Sequence, residues 1–447
     1  MRNIDVNDVI DNAKFNGFHW KVLFWCTLII IFDGYDLVIY GVVLPLLMEQ
    51  WNLNPYEAGL LGSSALFGMM FGAMGFGMLS DKLGRKKTIL ICVVLFSVTT
   101  VINGFATTPW QFGMLRFIAG LGIGGVMPNV VSLMSEYSPK RSRSTLVALM
   151  FSGYAVGGMM SAGLGIWMVP NYGWEIMFYL AGAPLLMLPL MMKFLPESAA
   201  FLMARKRETE ARAILQAVAP ERGIDAADRL TVPATPESKG PVLELFRGGR
   251  AFSTAMFWVA FFCCLLMVYA LASWLPKLMS MAGYGLSSSL MFLMVLNIGA
   301  IIGAVGGGWL ADRFSLRSVL VSFFILGSVS LVTLGYENPT WFLYTLMGIA
   351  GATTIGSQIL LYAYVAQYYP TSIRSTGLGW ASGIGRNGAI FGPMVGGTLL
   401  TMALPHQLNF LALAVPGIVA TVAVALVGRR FGNKCLAPDE VGLTTSS

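Results

Sequence analysis

Two carboxylates set in an apolar run have the chemistry to carry a proton. Asp33 and Asp36 lie inside WKVLFWCTLIIIFDGYDLVIYGVVLPLLM, residues 20–48. A carboxylate at membrane depth is costly unless it is paired, hydrated or protonated, so intramembrane acids usually mark an ion or proton pathway. Three residues apart, the two share one helix face. Gly34 between them leaves room for a neighbouring helix or a substrate. The competing reading is a structural pair neutralised by an arginine on another helix. Two arginines are available at depth. Counted at 1.5 Å per residue, Asp33 and Asp36 lie roughly 20–24 Å beyond Trp20, Arg386 about 18 Å beyond Arg374, and Arg116 about 9 Å beyond Trp110. All four are expected to face one central cavity.

The elements that must position these charges are membrane helices. The chain has 447 residues, 56% hydrophobic and 11% charged, against roughly 25% charged in a soluble domain. Apolar runs of ~20 residues recur, each long enough to cross ~30 Å of hydrocarbon. Backbone groups in lipid must be satisfied internally, so these runs are helices. Twelve spans are predicted, at 20–47, 57–80, 87–107, 110–135, 144–169, 173–195, 250–280, 287–311, 316–336, 340–365, 375–401 and 406–428. The net charge of +7 does not point to nucleic acid, because the cations gather in particular loops. Lys82, Arg85, Lys86 and Lys87 fall near 81–87, and Lys140, Arg141 and Arg143 near 136–143. The loops at 49–57, 105–110 and 170–175 hold no Lys or Arg. The positive-inside rule then puts both termini in the cytoplasm. Residues 1–19 are polar with mixed charge and do not look like a cleavable signal; span 1 is expected to act as an uncleaved insertion signal. Four of the five cysteines (Cys26, Cys92, Cys263, Cys264) fall in apolar spans; with Cys435 they show no metal-ligand spacing, and they are read as core residues.

The chain repeats itself at an offset of 231. Gly68, Gly72, Gly75, Gly77, Leu79 and Asp81 match Gly299, Gly303, Gly306, Gly308, Leu310 and Asp312. The same shift relates Pro45 to Pro276, Trp110 to Trp341, and Pro139, Arg143 and Ser144 to Pro370, Arg374 and Ser375. The expected organisation is a six-helix half over 1–195, a cytoplasmic linker over 196–249, a second six-helix half over 250–430 and a cytoplasmic tail over 431–447. The linker contains an amphipathic pattern, FLMARKRETEARAILQ, predicted as one helix. Glycine faces on spans 2, 4, 5, 8 and 11 let helix backbones approach closely; static packing accounts for part of this, and rocking halves fit the rest. The charges escape the repeat. Asp33, Asp36 and Arg116 correspond to Cys264, Met267 and Met347, and Arg386 to Ala155. That is the pattern of functional additions to a duplicated scaffold.

GMLSDKLGRKK, residues 77–87, resembles the loop signature between helices 2 and 3 of the major facilitator superfamily. GWLADRFSLR (308–317) is its degraded copy, with Ser315 in place of the expected glycine. LRFIAGLGIGG (115–125) resembles the superfamily's helix 4 motif, and Pro196–Glu197–Ser198 the usual end of helix 6. DGYD, 33–36, is similar to the aromatic-acid/proton symporter family, and FDGYDLVIYGVVLPLLM is most like its benzoate-permease branch. The resemblance implies an all-α membrane fold of twelve helices in two halves. It also implies proton-coupled uptake of an aromatic carboxylate across the bacterial inner membrane, with the proton as coupling ion, no other cofactor and a monomer sufficing. An exporter running the same chemistry backwards is the alternative. A membrane enzyme is disfavoured because no nucleophile, metalloprotease or nucleotide-binding motif is present.

Residue roles follow from that expectation. An aromatic carboxylate is an anion at neutral pH, and arginine can grip both its oxygens in a dry site. Arg386, with Asn387 beside it, is the first choice, and the resemblance ties the matching arginine of helix 11 to substrate handling. A structural partnership of Arg386 with Asp33 or Asp36 stays open. Arg116 is tied by resemblance to proton coupling with Asp33 and Asp36, with structural pairing equally open. Tyr40, Phe67, Tyr269, Trp274, Tyr362 and Trp380 are candidate walls for the ring, and Asn297 and Gln358 are uncharged polar groups in apolar spans that could bind substrate or hydrogen-bond another helix. A gating cluster is expected at the loops: Asp81, Arg85, Glu136 and Arg143, with Asp312 and Arg374 as the second-half equivalent. Lys86 and Lys87 are read as topological charges. His19 and His406 lie at membrane edges, which does not support a histidine relay.

Overall fold

The computed structural model describes residues 3–224, 228–231, 241–369 and 373–428. Six long helices precede the linker: α1 (Gly17–Gln50), α2 (Pro55–Leu83), α3 (Arg85–Asn103), α4 (Pro109–Tyr137), α5 (Arg143–Tyr172) and α6 (Glu175–Phe194, interrupted at Ala181 and Gly182). Six follow it: α7 (Ala251–Met281), α8 (Leu286–Arg313), α9 (Leu316–Leu334), α10 (Thr340–Tyr368), α11 (Arg374–Thr401) and α12 (His406–Leu426). Eleven are long and apolar enough to span a bilayer among the described residues. α11 falls short in composition because it carries Arg386, Asn387 and a run of glycines, yet it packs between α2 and α7. Local signals set the ends. Asn54 and Glu57 form a capping box ahead of α2, and Thr108 caps α4 with Pro109 behind it. Gly84 (φ 92°) and Gly173 (φ 83°) stop α2 and α5 in a backbone region that disfavours side chains.

The duplication is visible atom by atom. A Cβ on Gly68 or Gly72 of α2 would run into the carbonyl oxygens of Phe117 and Leu121 on α4. Their equivalents Gly299 and Gly303 on α8 meet Gly348 and Ala352 on α10, each 231 residues on. Gly157 of α5 meets Ile31 of α1, and Gly388 of α11 meets Phe262 of α7, in the same register. Here glycine is required by backbone contact between helices.

The two six-helix groups meet through α2–α11, α5–α8 and α1–α7. The close contacts lie at the end of the bundle away from the linker, hereafter the distal end. Gly59 and Gly397 pack against the carbonyls of Pro393 and Pro55, Gly41 against Ala272, and Gly165 against Leu290. Ser63 Oγ donates to Ile390 O at 2.6 Å. Towards the linker, Gly75 and Gly77 of α2, Gly306 and Gly308 of α8 and Gly379 and Gly383 of α11 have open space where a side chain would stand. The halves are closed at the distal end and splayed at the linker end.

Beyond the membrane helices, the N-terminal arm and the linker make one small unit on the first half. Strand β1 (Asn3–Asp5) pairs in parallel with β2 (Arg229–Thr231). The short helix Val6–Asp11 packs on the helix Glu208–Val218, which buries Ala211, Leu215 and Val218. Asp8 pairs with Arg222 at 2.7 Å. Asn16 donates to the carbonyls of Ala217 and Val218, while its own backbone and side chain cap α1 together with His19. The single amphipathic helix expected at 201–216 is in fact two, Ala199–Ala204 and Glu208–Val218. They break at Lys206, which has φ 58°. The tail from 429 onward lies outside the described residues.

Candidate functional site

Asp33 is fully buried, and neither carboxylate oxygen has a hydrogen-bond partner among the described residues. It sits on α1 where Gly34 allows the Tyr154 backbone of α5 to touch α1. Its electrostatic neighbours are Asp36 and Arg386. Arg386, on α11 of the other half, is half-buried. No carboxylate lies within 4 Å of it among the described residues, and its nearest polar contact is the Met127 sulfur of α4 at 4.0 Å. Tyr154 and Tyr269 interact hydroxyl to hydroxyl across the two halves, Tyr154 beside Asp33 and Tyr269 beside Arg386. Tyr362 of α10 also faces Arg386 and stacks edge-on to Phe261 at 5.0 Å. Asn387 donates back to Ile384 O. Gln358 is half-buried on α10, one turn before Tyr362. The result is a mid-depth chamber with a free guanidinium on one side, an unpartnered carboxyl on the other, and phenol rings and a thioether between.

Asp36 and Arg116 do not share that chamber, contrary to the expectation that all four charges face one cavity. Arg116 Nη1 donates to Asp36 Oδ2 at 2.9 Å, and Nη2 to the Asp36 backbone oxygen at 3.1 Å. Thr100 of α3 donates to Asp36 Oδ1 at 2.8 Å. Both charged side chains are essentially inaccessible. Asp33 and Asp36 share a helix face in projection, but one turn of rise is enough to place them in different surroundings. Asp33 reaches the interface between halves, and Asp36 turns inside the first half against α3 and α4.

Two proposed wall residues belong instead to the distal closure. Tyr40 is buried and donates to Ala58 O. Trp274 is fully buried, with Nε1 donating to Pro393 O at 2.8 Å. Trp380 is largely exposed and stacks on Trp258, with ring centres 5.8 Å apart. Phe67 is exposed beside Phe71 and Phe117. Asn297 donates to Leu293 O on its own helix. Tyr154 was not anticipated. Its signal was a tyrosine one turn before the Gly157–Gly158 pair, on the face that meets α1.

The loop cluster takes a different form from the one expected. Arg85 donates to Ser132 and lies 3.5 Å from Glu136. Glu136 accepts from Ser198 Oγ and Ala200 N, capping the short helix after α6. Glu197, which the sequence marks only as part of the end of helix 6, accepts from the backbone N–H groups of Arg85, Lys86 and Ser198 and so caps α3. Arg143 pairs with Asp11 of the N-terminal arm, not with Glu136. The side chains of Asp81, Asp312 and Arg374 lie outside the described residues.

Comparison with known proteins agrees with this architecture. The sequence matches the Major Facilitator Superfamily profile over residues 26–310 and 293–441. A benzoate transport protein of Acinetobacter baylyi is 51% identical over 96% of this chain and 94% of its own. A gallate transporter of Pseudomonas putida is 36% identical, over 95% of each chain. A 4-hydroxybenzoate transporter of Pseudomonas putida is also 36% identical, over 96% of each. Among solved structures, the xylose transporter XylE from E. coli aligns with a TM-score of 0.73 over 91% of this chain and 97% of that one, at 17% identity. A bacterial homolog of the human lysosomal transporter Spinster aligns at 0.71 over 94% and 98%, at 18% identity. With its duplicated six-helix halves, its distal closure and this profile match over nearly its whole length, the chain belongs to the Major Facilitator Superfamily, and it is a multi-pass membrane transporter rather than an enzyme.

Proposed function

We propose that the protein takes up an aromatic carboxylate of the benzoate or hydroxybenzoate class across the bacterial inner membrane, coupled to a proton, by alternating access. The observation that carries this is Arg386: a guanidinium at mid-depth with no carboxylate partner among the described residues, flanked by Tyr269 and Tyr362. A half-buried cation with no carboxylate within 4 Å among the described residues attracts an anion, and the phenol rings suit an aromatic one. The relatives named for benzoate, 4-hydroxybenzoate and gallate transport support the same class.

Asp33 and the Asp36–Arg116 pair are the proposed coupling groups. Asp33 is a buried carboxyl with no hydrogen-bond partner among the described residues, and it faces Arg386 across the interface, which suits it to exchange a proton as the substrate comes and goes. A carboxylate bound to Arg386 neutralises the positive charge that faces Asp33 across the chamber, so substrate and proton favour each other's binding. The positive loops support a cytoplasmic linker face and cytoplasmic termini. With that orientation the structure is inward-facing, and the proposed cycle opens the distal end by separating α2 from α11 and α5 from α8. Arg85, Glu136 and Arg143 keep their proposed role as groups that bias the closed and open forms of the cytoplasmic side, with Asp81, Asp312 and Arg374. The protein acts as a monomer in this reading.

The test is uptake by purified protein in liposomes. Benzoate should accumulate when the outside is made acidic, and a proton ionophore should abolish accumulation. Accumulation of benzoate without a proton gradient would overturn the coupling, and absence of any binding across a panel of aromatic acids would overturn the substrate class.

A further inference from the structure

Behind the Asp36–Arg116 pair, α3 carries a polar seam; its serine, Ser97, recurs in the second half as the buried Ser328, but its other two members do not recur as polar residues. Ser97, Thr100 and Asn103 recur every three residues along one face, and all three are fully buried. At the offset of 231, Thr100 and Asn103 correspond to Leu331 and Leu334 on α9, both buried. Leucine fills those positions where no polar group is required. Thr100 is already engaged, donating to Asp36 Oδ1 at 2.8 Å. Asn103 lies one turn further towards the distal end. Its amide nitrogen and oxygen are both buried, and neither has a protein partner among the described residues. Buried amides of this kind are satisfied by ordered water, and an asparagine side chain offers two donors and an acceptor to hold it. Thr107 and Thr108, in the short loop just beyond, are exposed at the distal surface.

We propose that Asn103 holds a buried water, and that this water and the Thr100 hydroxyl form a proton route from the distal face to Asp36 that runs inside the first half, separate from the substrate cleft. It rests on the reading of Asp36 as a coupling group. The transfer balances as a relay. Thr100 passes its hydroxyl proton to Asp36 Oδ1 and takes one from the water, which in turn takes one from a hydronium ion of the distal solvent; the hydroxyl and the buried water are restored, the hydronium ion becomes water, and Asp36 is neutralised. The charged and titratable groups that face Asp36 are Asp33 and Tyr35 on α1 and Arg116 on α4, and α3 presents only the Thr100 hydroxyl. Once Asp36 is neutral, Arg116 keeps its bond to the Asp36 backbone oxygen but loses the charge it balances. The seam therefore reaches Asp36 from the distal side even while α1–α7, α2–α11 and α5–α8 close the cleft there.

The experiment compares pH-gradient-driven benzoate uptake with benzoate exchange at equal pH, which needs no net proton movement. N103L copies the second half, and T100V removes the hydroxyl while keeping the shape. Both should slow gradient-driven uptake by about tenfold or more, the rate factor of one buried hydrogen bond lost, with exchange near wild type. N103S and T100S, which keep a hydroxyl, should retain most of the driven uptake. Driven uptake at wild-type rate in both N103L and T100V would overturn the route. Equal loss of uptake and exchange in N103S and T100S would also overturn it, by assigning the seam a structural role only. D36N separates the two ideas: if D36N still couples, the reading of Asp36 fails and the route with it, whereas loss in D36N alone rejects only the route.

Discussion

The two halves of this protein share one scaffold but fill it differently. In the first half Asp36, Arg116 and Thr100 form a buried ionic knot among α1, α4 and α3. At the same places in the second half stand Met267, Met347 and Leu331, all fully buried and apolar. Glycine contacts around both sets keep the same register, so the bundle folds with or without the charges. A buried ion pair contributes little net stability over well-packed apolar residues of similar volume. Its presence in only one half is therefore not explained by the needs of the scaffold, in keeping with the coupling role proposed for it. The loop after α2 shows the same contrast. In the first half Gly84 turns at φ 92° and Glu197, far along the chain, caps α3. In the second half Ser315 caps α9 with its own side chain. The first half ties its loop to the linker, and the second closes locally.

Breaking the ionic knot on one side should give the largest effect. R116M leaves Asp36 buried without its partner, and unfolding in detergent should show a loss of about 3–5 kcal/mol. The double variant D36M/R116M copies the second half and should regain most of that stability while gradient-driven uptake stays absent. A double variant as unstable as R116M would show that the halves are not interchangeable scaffolds.

Arg386 sharpens the comparison from the second half; its equivalent in the first half is Ala155. R386A should weaken benzoate binding by about 2–5 kcal/mol, a factor of roughly 30 or more. R386K should not restore it, because the planar fork is lost. Benzamide, similar in shape but uncharged, should bind wild type poorly. Calorimetry on purified protein reads all three, and unchanged benzoate affinity in R386A would remove the assignment.

A smaller effect separates the packed part of the glycine faces from the open part. G72A and G303A drive a methyl into the backbones of Leu121 and Ala352, and each should cost about 1–3 kcal/mol. G75A and G306A meet open space and should change stability by no more than about 0.5 kcal/mol, so any defect there would appear in turnover. Equal destabilisation at both sites would contradict the splayed linker end.

A change of one hydroxyl is Y154F, which alters the contact that joins the halves beside Asp33 and Arg386. About 1 kcal/mol is expected, read as a faster exchange between inward- and outward-facing forms in a labelled pair across α5 and α8. No change in that equilibrium would leave Tyr154 as a wall of the chamber only.

The sequence alone determined the helices and the duplication. Spanning helices are dictated by apolar length, since no other backbone arrangement satisfies its own hydrogen bonds in lipid. The constant offset of 231 is a property of the string, and the packing of Gly68 on Phe117 and Gly299 on Gly348 follows it. The depth of Asp33, Asp36, Arg116 and Arg386 could likewise be counted along each helix. Only the tertiary structure decided which of them meet. Depth fixes position along an axis, whereas partnership depends on the rotation of each helix and on which neighbour it packs against. So Asp36 falls to Arg116 and Thr100 inside one half, Asp33 faces Arg386 across the interface, and Tyr40 and Trp274 close the distal end. Arg143–Asp11, Glu197 over α3 and the partnerless Asn103 were hidden for the same reason. Each joins, or fails to join, residues far apart in the chain, and nothing in local composition encodes that distance.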